Sequence, residues 1–332
     1  MTSSAWQREL SRAITQPREL IEALGLDPSL LEGARAANDA FALRVTPSYL
    51  ARMRRGDRHD PLLRQVLPLA DELDEHRDYV ADPLNERDYT RAPGLLQKYA
   101  GRALLITTQA CAIHCRYCFR REFPYGEQQE EQGAVRWSAA LAAIAADETI
   151  EEVVLSGGDP LSLSDARLKL LTDAIQATPH VRRLRVHTRQ PVVLPARVDD
   201  GLVDWLRGLR LPCVFVLHVN HANEIDADVR AACARLRAAR VTLLNQSVLL
   251  RGVNDDVDTL ANLSRTLFDT GVTPYYLHLP DRVRGTAHFD VPLPRAKELV
   301  AVLATRISGY LVPRLVREVP GAASKVSAAD LT

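Results

Sequence analysis

From Arg102 onward the chain alternates between short runs of β-branched and aliphatic residues and longer stretches in which apolar residues return every three or four positions. "RALLITT" (102–108) is the first short run, followed by "EEVVL" ahead of two glycines, "LRVHT" (184–188), "CVFVLHV" (213–219), "VTLLNQS" (241–247) and "TPYYLHL" (273–279). Between them lie segments of helical periodicity. These are "AALAAIAAD" with Ser138 as its expected N-cap, residues 165–177 capped by Ser164, "GLVDWLRGL", "ADVRAACARLRAA", "DVDTLANLSRTLFDTG" and "PRAKELVAVLATRI". A last extended piece, "RLVREVP", ends the series. Strands separated by single helices pair in parallel through right-handed crossovers. Six such units are too few for an eight-unit barrel and leave an open, partial barrel or a doubly wound sheet.

The N-terminal stretch reads differently. "PRELIEALGL", "PSYLARMRR" and "DPLLRQVLP" are short amphipathic pieces with Pro near helix starts, suited to covering the open side of a partial barrel or to contacts between copies of the chain. The expected organisation is a helical region over 1–95, a barrel over 96–313 and a C-terminal segment over 314–332.

Composition narrows the function classes. Lys plus Arg equals Asp plus Glu at 42 each, so no net charge draws the chain to nucleic acid or to an anionic membrane. No basic leader with an apolar run opens the sequence, and no apolar stretch approaches the roughly 20 residues that span a bilayer, which places the expected protein in the cytoplasm.

The chemically capable residues fall just after the strands. They are the loop "TTQACAIHCRYCFRREF", "SGGD" (Ser156, Gly157, Gly158, Asp159), "HTR" (187–189), "HVNH" (218–221), "NQS" (245–247), His278 with Asp281, and "PGAASK" ending at Lys325. In barrels of this kind the C-terminal strand ends carry the active site, so these segments converge on one mouth. Singly, each has a plainer reading: "SGGD" as a helix-entry turn, the histidines as satisfied core residues, and Asp281 with its arginines as a solvated charge run.

Three of the five cysteines, Cys111, Cys115 and Cys118, lie within eight residues. In a reducing compartment such a cluster points to metal or redox chemistry, whereas Cys213 and Cys233 sit in apolar-periodic contexts and read as packing residues. The spacing is C-x3-C-x2-C. Zinc takes four ligands, for which only His114 is at hand, while three thiolates on a [4Fe-4S] cluster leave one iron open to a substrate or cofactor. Lysine is rare: four residues, Lys98, Lys169, Lys297 and Lys325, stand against 38 arginines. An imine needs an amine that can lose its proton, which guanidinium cannot supply, so Lys325 stands out.

The cysteine spacing, with Tyr117 just before the third thiol, resembles the radical S-adenosylmethionine superfamily. "CRYCFRR", "LSGGDPL", "RQPVVLPAR", "HVNHANEI", "LLNQSVLLRGVND", "PYYLHLPD" and "PGAASK" together resemble lysine 2,3-aminomutases, over about 230 residues. "FALRVTPSYLARM", "DPLLRQVLP" and "PGLLQKY" are most similar to the branch that serves β-lysylation of elongation factor P. The resemblance implies an α/β fold, a partial (β/α)6 radical-SAM barrel with an N-terminal helical extension and a short C-terminal segment carrying the lysine that binds pyridoxal 5′-phosphate. It implies an isomerase that converts free L-lysine to (R)-β-lysine, using a [4Fe-4S] cluster, S-adenosylmethionine and pyridoxal phosphate.

The same resemblance assigns roles. Cys111, Cys115 and Cys118 would hold the cluster. Ser156, Gly157, Gly158 and Asp159 would bind the methionyl amino group, and Tyr117, His218 and Gln246 the adenosyl portion. Lys325 would anchor pyridoxal phosphate, with Lys98, Tyr99 and Arg102 as further contacts. Arg120 would take the substrate carboxylate as a bidentate pair, and Asp281 with Glu318 the distal ammonium. Asp256 stands where zinc-containing relatives have a cysteine, so no zinc is expected. Implied partners are elongation factor P with its lysyl ligase, an electron donor such as flavodoxin or ferredoxin, and a second copy of the chain in a homo-oligomer. Two other readings are an aminomutase for glutamate or arginine and a non-catalytic iron–sulfur sensor or scaffold. Two carboxylates at the distal end oppose a glutamate side chain, and a sensor needs neither "SGGD" nor Lys325.

Overall fold

Alternation of single strands with single helices produces the expected parallel sheet. The computed structural model describes residues 4–123 and 137–331. Ten strands form one sheet in chain order: β1 (Thr90–Ala92), β2 (Leu95–Tyr99), β3 (Arg102–Thr108), β4 (Glu152–Gly157), β5 (Arg183–Thr188), β6 (Cys213–Leu217), β7 (Thr242–Val248), β8 (Thr273–His278), β9 (Arg314–Arg317) and β10 (Val326–Ser327). Strands β3 to β9 are parallel neighbours. Helices Ser138–Ala146, Asp165–Gln176, Asp200–Arg207, Ala227–Ala238, Val257–Asp269 and Leu293–Arg306 make the crossovers. A doubly wound sheet reverses its strand order at a switch point, and this sheet does not. It is a partial barrel, open between β1 and β10.

Burial along β5 shows how the barrel is layered. Leu184 and Val186 are buried in the core beneath the helices, together with Leu105, Val153, Leu155, Phe215 and Leu243. With a side-chain period of two, Arg185 and His187 therefore face the concave side. Cys213 and Cys233 are buried in this same core, as their apolar contexts predict, and desolvation pushes both thiols up to about 12.

Three local expectations change. Ser138 lies inside its helix and Trp137 occupies the cap position, because the buried indole fixes where the helix starts. "PSYL" is a single turn, and "DPLLRQVLP" holds only a 3₁₀ turn at Leu63–Gln65, with Asp60 Oδ1 accepting from the Leu62 and Leu63 amides and Pro68 stopping propagation. The region expected to be helical up to residue 95 ends in a strand: Gly94, at φ 75°, turns β1 into β2, which pairs antiparallel with β3. The helix Pro17–Leu24 is present and ends at Gly25 in the left-handed region.

The N-terminal pieces build a core of their own. Trp6, Leu20, Ile21, Leu24, Tyr49, Leu62 and Leu63 pack together with Ala112 and Ile113 from the cysteine loop and with Val193 and Leu194 after β5. Among the described residues no helix is long and apolar enough to cross a membrane.

Candidate active site

The cysteine loop leaves β3 and is pinned by the N-terminal region. The amides of His114 and Arg116 donate to the carbonyls of Arg44 and Gln65 at 3.0 and 2.9 Å. The Arg116 side chain, with no exposed surface, donates to both carboxylate oxygens of Glu72 at 2.8 and 2.6 Å and to the carbonyls of Phe41 and Ala37. Arg121 shares Glu72 at 2.8 Å, and the Phe41 ring lies 4.9 and 4.8 Å from the two guanidinium carbons. His114 is turned into this region: its Nδ1 donates to the Ala42 carbonyl at 2.7 Å and its ring stacks on Phe41. That contact, rather than metal ligation, accounts for His114.

Cys111, Cys115 and Cys118 are free and partly buried. Desolvation, then Asp159 and the two other thiols, pushes Cys111 well up; desolvation and then Cys115 push Cys118 up to about 11. Thiols that resist ionising beside one another gain most from a cationic partner, since a coordinating thiol is deprotonated outright. Among the described residues no three His, Cys, Asp or Glu side chains are grouped to hold a single metal ion. In a cubane each thiolate takes its own corner iron, and the three free cysteines of one loop are a donor set of that kind.

The glycines of "SGGD" let two loops touch. Gly157 has φ +114°, and a Cβ there would lie 2.5 Å from the Thr108 carbonyl oxygen. A Cβ on Gly158 would meet Gln109 backbone, also at 2.5 Å. The Gly158 and Asp159 amides donate to Thr108 and Ala110 carbonyls. The Asp159 carboxylate accepts from the Thr188 hydroxyl and from the Leu161, Arg189 and Gln190 amides, at 2.7 to 3.0 Å. Desolvation outweighs these bonds and raises it to about 6. Asp159 thus ties the end of β4 to the end of β5 and also caps the 3₁₀ turn Pro160–Ser162.

The expected adenosyl contacts come together in part. His218 and Gln246 touch through His218 Nε2, and desolvation lowers the imidazole to about 4, so it is neutral. The Tyr117 hydroxyl instead accepts from Asn220 Nδ2 at 2.7 Å, on the side of the N-terminal region.

Charges alternate across the barrel opening. Lys325 Nζ lies 2.6 Å from Glu318 Oε2, and Lys98 Nζ lies 2.9 Å from Glu318 Oε1 and 3.3 Å from Glu86 Oε1. Arg120 Nε and Nη2 donate to Glu86 at 2.8 and 2.9 Å. Burial favours protonation of Glu318, but Lys325 and then Lys98 hold it well below the usual carboxylate range. Asp281, with Glu318, Lys325, Lys98 and Glu86 around it, is raised to about 7 by desolvation and then by Glu318. Tyr99 stands beside Glu318 with the Arg102 guanidinium 4.6 Å over its ring, and Lys325 Nζ lies 6.0 Å from the Tyr276 ring.

Glu86 is the residue that the sequence did not reveal. It sits in "LNERDYT", where no periodicity or motif sets it apart, and it holds the Nε–Nη2 edge of Arg120 that was expected to face a substrate carboxylate. Arg120 Nη1 reaches Ser156 Oγ at 3.1 Å and the Gly157 carbonyl at 3.5 Å. His187 Nε2 and His278 Nε2 are buried without a hydrogen-bond partner, and desolvation holds both rings neutral. Orphaned polar atoms beside an amine, two tyrosines and a stacked arginine fit a bound polar cofactor such as pyridoxal phosphate.

Residues 105–264 match the model of the radical SAM superfamily. The chain is 48% identical over 322 residues to an L-lysine 2,3-aminomutase of Escherichia coli strain K12, covering 96% of this chain and 93% of that one. It is 43% identical over 325 residues to the protein of the same name from Haemophilus influenzae, covering 98% and 96%. To the Clostridium subterminale protein of that name it is 35% identical over 320 residues, covering 96% and 76%.

Proposed function

The chain belongs to the lysine 2,3-aminomutase family of radical SAM isomerases, and from that premise we propose that it converts free L-lysine to (R)-β-lysine. The observation that supports lysine is the pair of carboxylates, Asp281 and Glu318, beside Lys325. When bound, the cluster with S-adenosylmethionine supplies a carbon-centred radical that takes an unactivated hydrogen, and pyridoxal phosphate supplies the π-system that carries the migrating amine.

The chain's own residues do the placing. Cys111, Cys115 and Cys118 hold the cluster, and "SGGD", Tyr117, His218 and Gln246 line the S-adenosylmethionine side. Lys325 anchors pyridoxal phosphate, whose other contacts are Lys98, Tyr99 and Arg102. Glu318 keeps the Lys325 ammonium paired until that amine gives up its proton. Arg120, held by Glu86 through Nε and Nη2, would take the substrate carboxylate. Asp281 ionises as a distal ammonium arrives, since the new positive charge opposes the desolvation that keeps it partly protonated near neutrality. Tyr99 and Tyr276 help to exclude water.

The N-terminal motifs support placing the product in β-lysylation of elongation factor P by a partner ligase. A flavodoxin or ferredoxin would supply electrons. Residues 1–95, 96–313 and 314–332 remain the proposed division of labour.

The test is anaerobic reconstitution with both cofactors and product analysis with lysine, norleucine and glutamate. Hydrogen bonds to charged groups contribute about 1.5–3 kcal/mol, so Asp281→Asn should lower kcat/KM for lysine roughly 10- to 150-fold. Norleucine should be a poor substrate of the unmodified protein. Equal turnover of norleucine and lysine would refute the carboxylate reading.

A further inference from the structure

Arg189 follows β5 and is almost fully buried. Its Nη1 donates to Cys115 Sγ at 2.8 Å. Its Nη2 donates to Glu224 Oε2 at 2.8 Å, to Gln65 Oε1 at 2.6 Å and to the Tyr49 hydroxyl at 3.1 Å. Its guanidinium carbon lies 5.4 Å from the centre of the Tyr49 ring and 5.7 Å from that of Tyr117. Glu224 has no exposed surface, and its other oxygen accepts from the Asn220 and His221 amides and from Gln65 Nε2. The guanidinium is therefore fixed in direction, with one nitrogen aimed at a cysteine sulfur. Cys118 meets a different donor, the backbone amide of Arg120, so the thiols are not equivalent.

We propose that Arg189 is a positioning residue of the metal centre that fixes the Cys115 thiolate and raises the reduction potential of the cluster it holds, with Glu224 as the opposing charge that limits the rise. This deepens the reading given above and rests on Cys115 being a cluster ligand. A charge-assisted N–H donated to a ligating sulfur stabilises the more negative, reduced cluster, and hydrogen bonds to sulfur together with net charge set such potentials. A buried carboxylate behind the guanidinium acts in the opposite sense. Gln65 and Tyr49 come from the N-terminal region, which on this account contributes to the electronics of the centre as well as to its shelter.

The test uses the reconstituted full chain, with iron and sulfide counted per chain and the midpoint potential read by an EPR-monitored redox titration. Arg189→Gln should keep its cluster and move the midpoint to more negative potential by about one decade in the reduction equilibrium, about 59 mV for one electron. Arg189→Lys keeps the charge and loses the fork, so it should fall between. Glu224→Gln keeps the shape, removes the opposing charge and should move the midpoint the other way. Opposite signs are the signature, since a purely structural role would not reverse the shift. Should Arg189→Gln fail to load a cluster, Glu224→Gln decides alone: a positive shift supports the role, and none or a negative one overturns it. Cys115→Ala, read for iron only, separates the two levels of the claim. Full iron there sinks the ligand assignment, whereas lost iron with unshifted midpoints in Arg189→Gln and Glu224→Gln sinks only the role given to Arg189.

Discussion

Residues 109–123 carry the three thiols and residues 314–331 carry Lys325, and the two segments are secured by different forces. The thiol loop is wedged into a second apolar core through Ala112 and Ile113 and is latched by Arg116 and Arg121 on one buried carboxylate. The lysine segment returns as a two-residue strand, β10, against β9, and its amine is held by Glu318 at about one-fifth exposure. Packing with redundant hydrogen bonds gives a loop one geometry, as a preorganised metal site requires. Paired charges in a partly wet opening give a position that a proton or an incoming ammonium can change. The end that must stay still is packed, and the end that must react is balanced electrostatically.

The largest test of this contrast removes the latch. Glu72→Gln would leave Arg116 and Arg121 buried without a carboxylate, and breaking such a pair costs about 3–5 kcal/mol. Chemical denaturation should show that loss, together with reduced iron uptake. Unchanged stability would mean that packing alone holds the loop.

A smaller effect is expected from pH at the other end. Asp281 has a folded pKa raised to about 7, above its unfolded value, so the folded state holds more protons than the unfolded chain between about pH 4 and 7. Its contribution to stability is complete below pH 4 and falls as pH rises through 7, by a few kcal/mol at most. Asp281→Asn should erase that decline, and the variant should gain on the unmodified protein across this window. Parallel stability curves would show that Asp281 is not desolvated. Glu318, held low, acts in the opposite sense: its stabilisation is present above the unfolded carboxylate range and is lost as pH falls through its lower folded pKa.

The smallest change in stability should come from the most damaging change in chemistry. Lys325→Arg keeps a cation beside Glu318, so denaturation should shift by less than about 1 kcal/mol and iron content should hold. The visible absorption of lysine-bound pyridoxal phosphate should disappear. If that absorption survives, another lysine carries the cofactor, with Lys98 the first to examine.

Much of this was legible along the chain, for reasons that differ by residue. The strand-helix alternation is a local signal, so β3 to β8 and the crossovers emerge within a residue or two of expectation, while β9 ends three residues before the end of "RLVREVP". Cysteine spacing within one loop and the scarcity of lysine are local and compositional, so the thiols and Lys325 stood out. Glu86 did not, because its meaning lies in Arg120 and Lys98, which only folding brings to it. The expected two-pronged grip of Arg120 on a substrate missed this competing carboxylate. The β1–β2 hairpin was hidden because three-residue and five-residue strands give too little alternation to read. Arg189 was visible only as a polar residue after a strand, since its partners at 49, 65, 115 and 224 come from four separate loops and turns.

One feature of the sheet bears on how its edges are held. Its two ends do not share a backbone ladder; they meet through Lys98 on β2 and Glu318 just after β9, and through the Gly321 amide donating to the Tyr89 hydroxyl at 2.7 Å. A seam fastened by side chains behaves as a clasp. Breaking these contacts would leave every strand paired with its neighbours, so a change at the seam does not require the barrel to unravel.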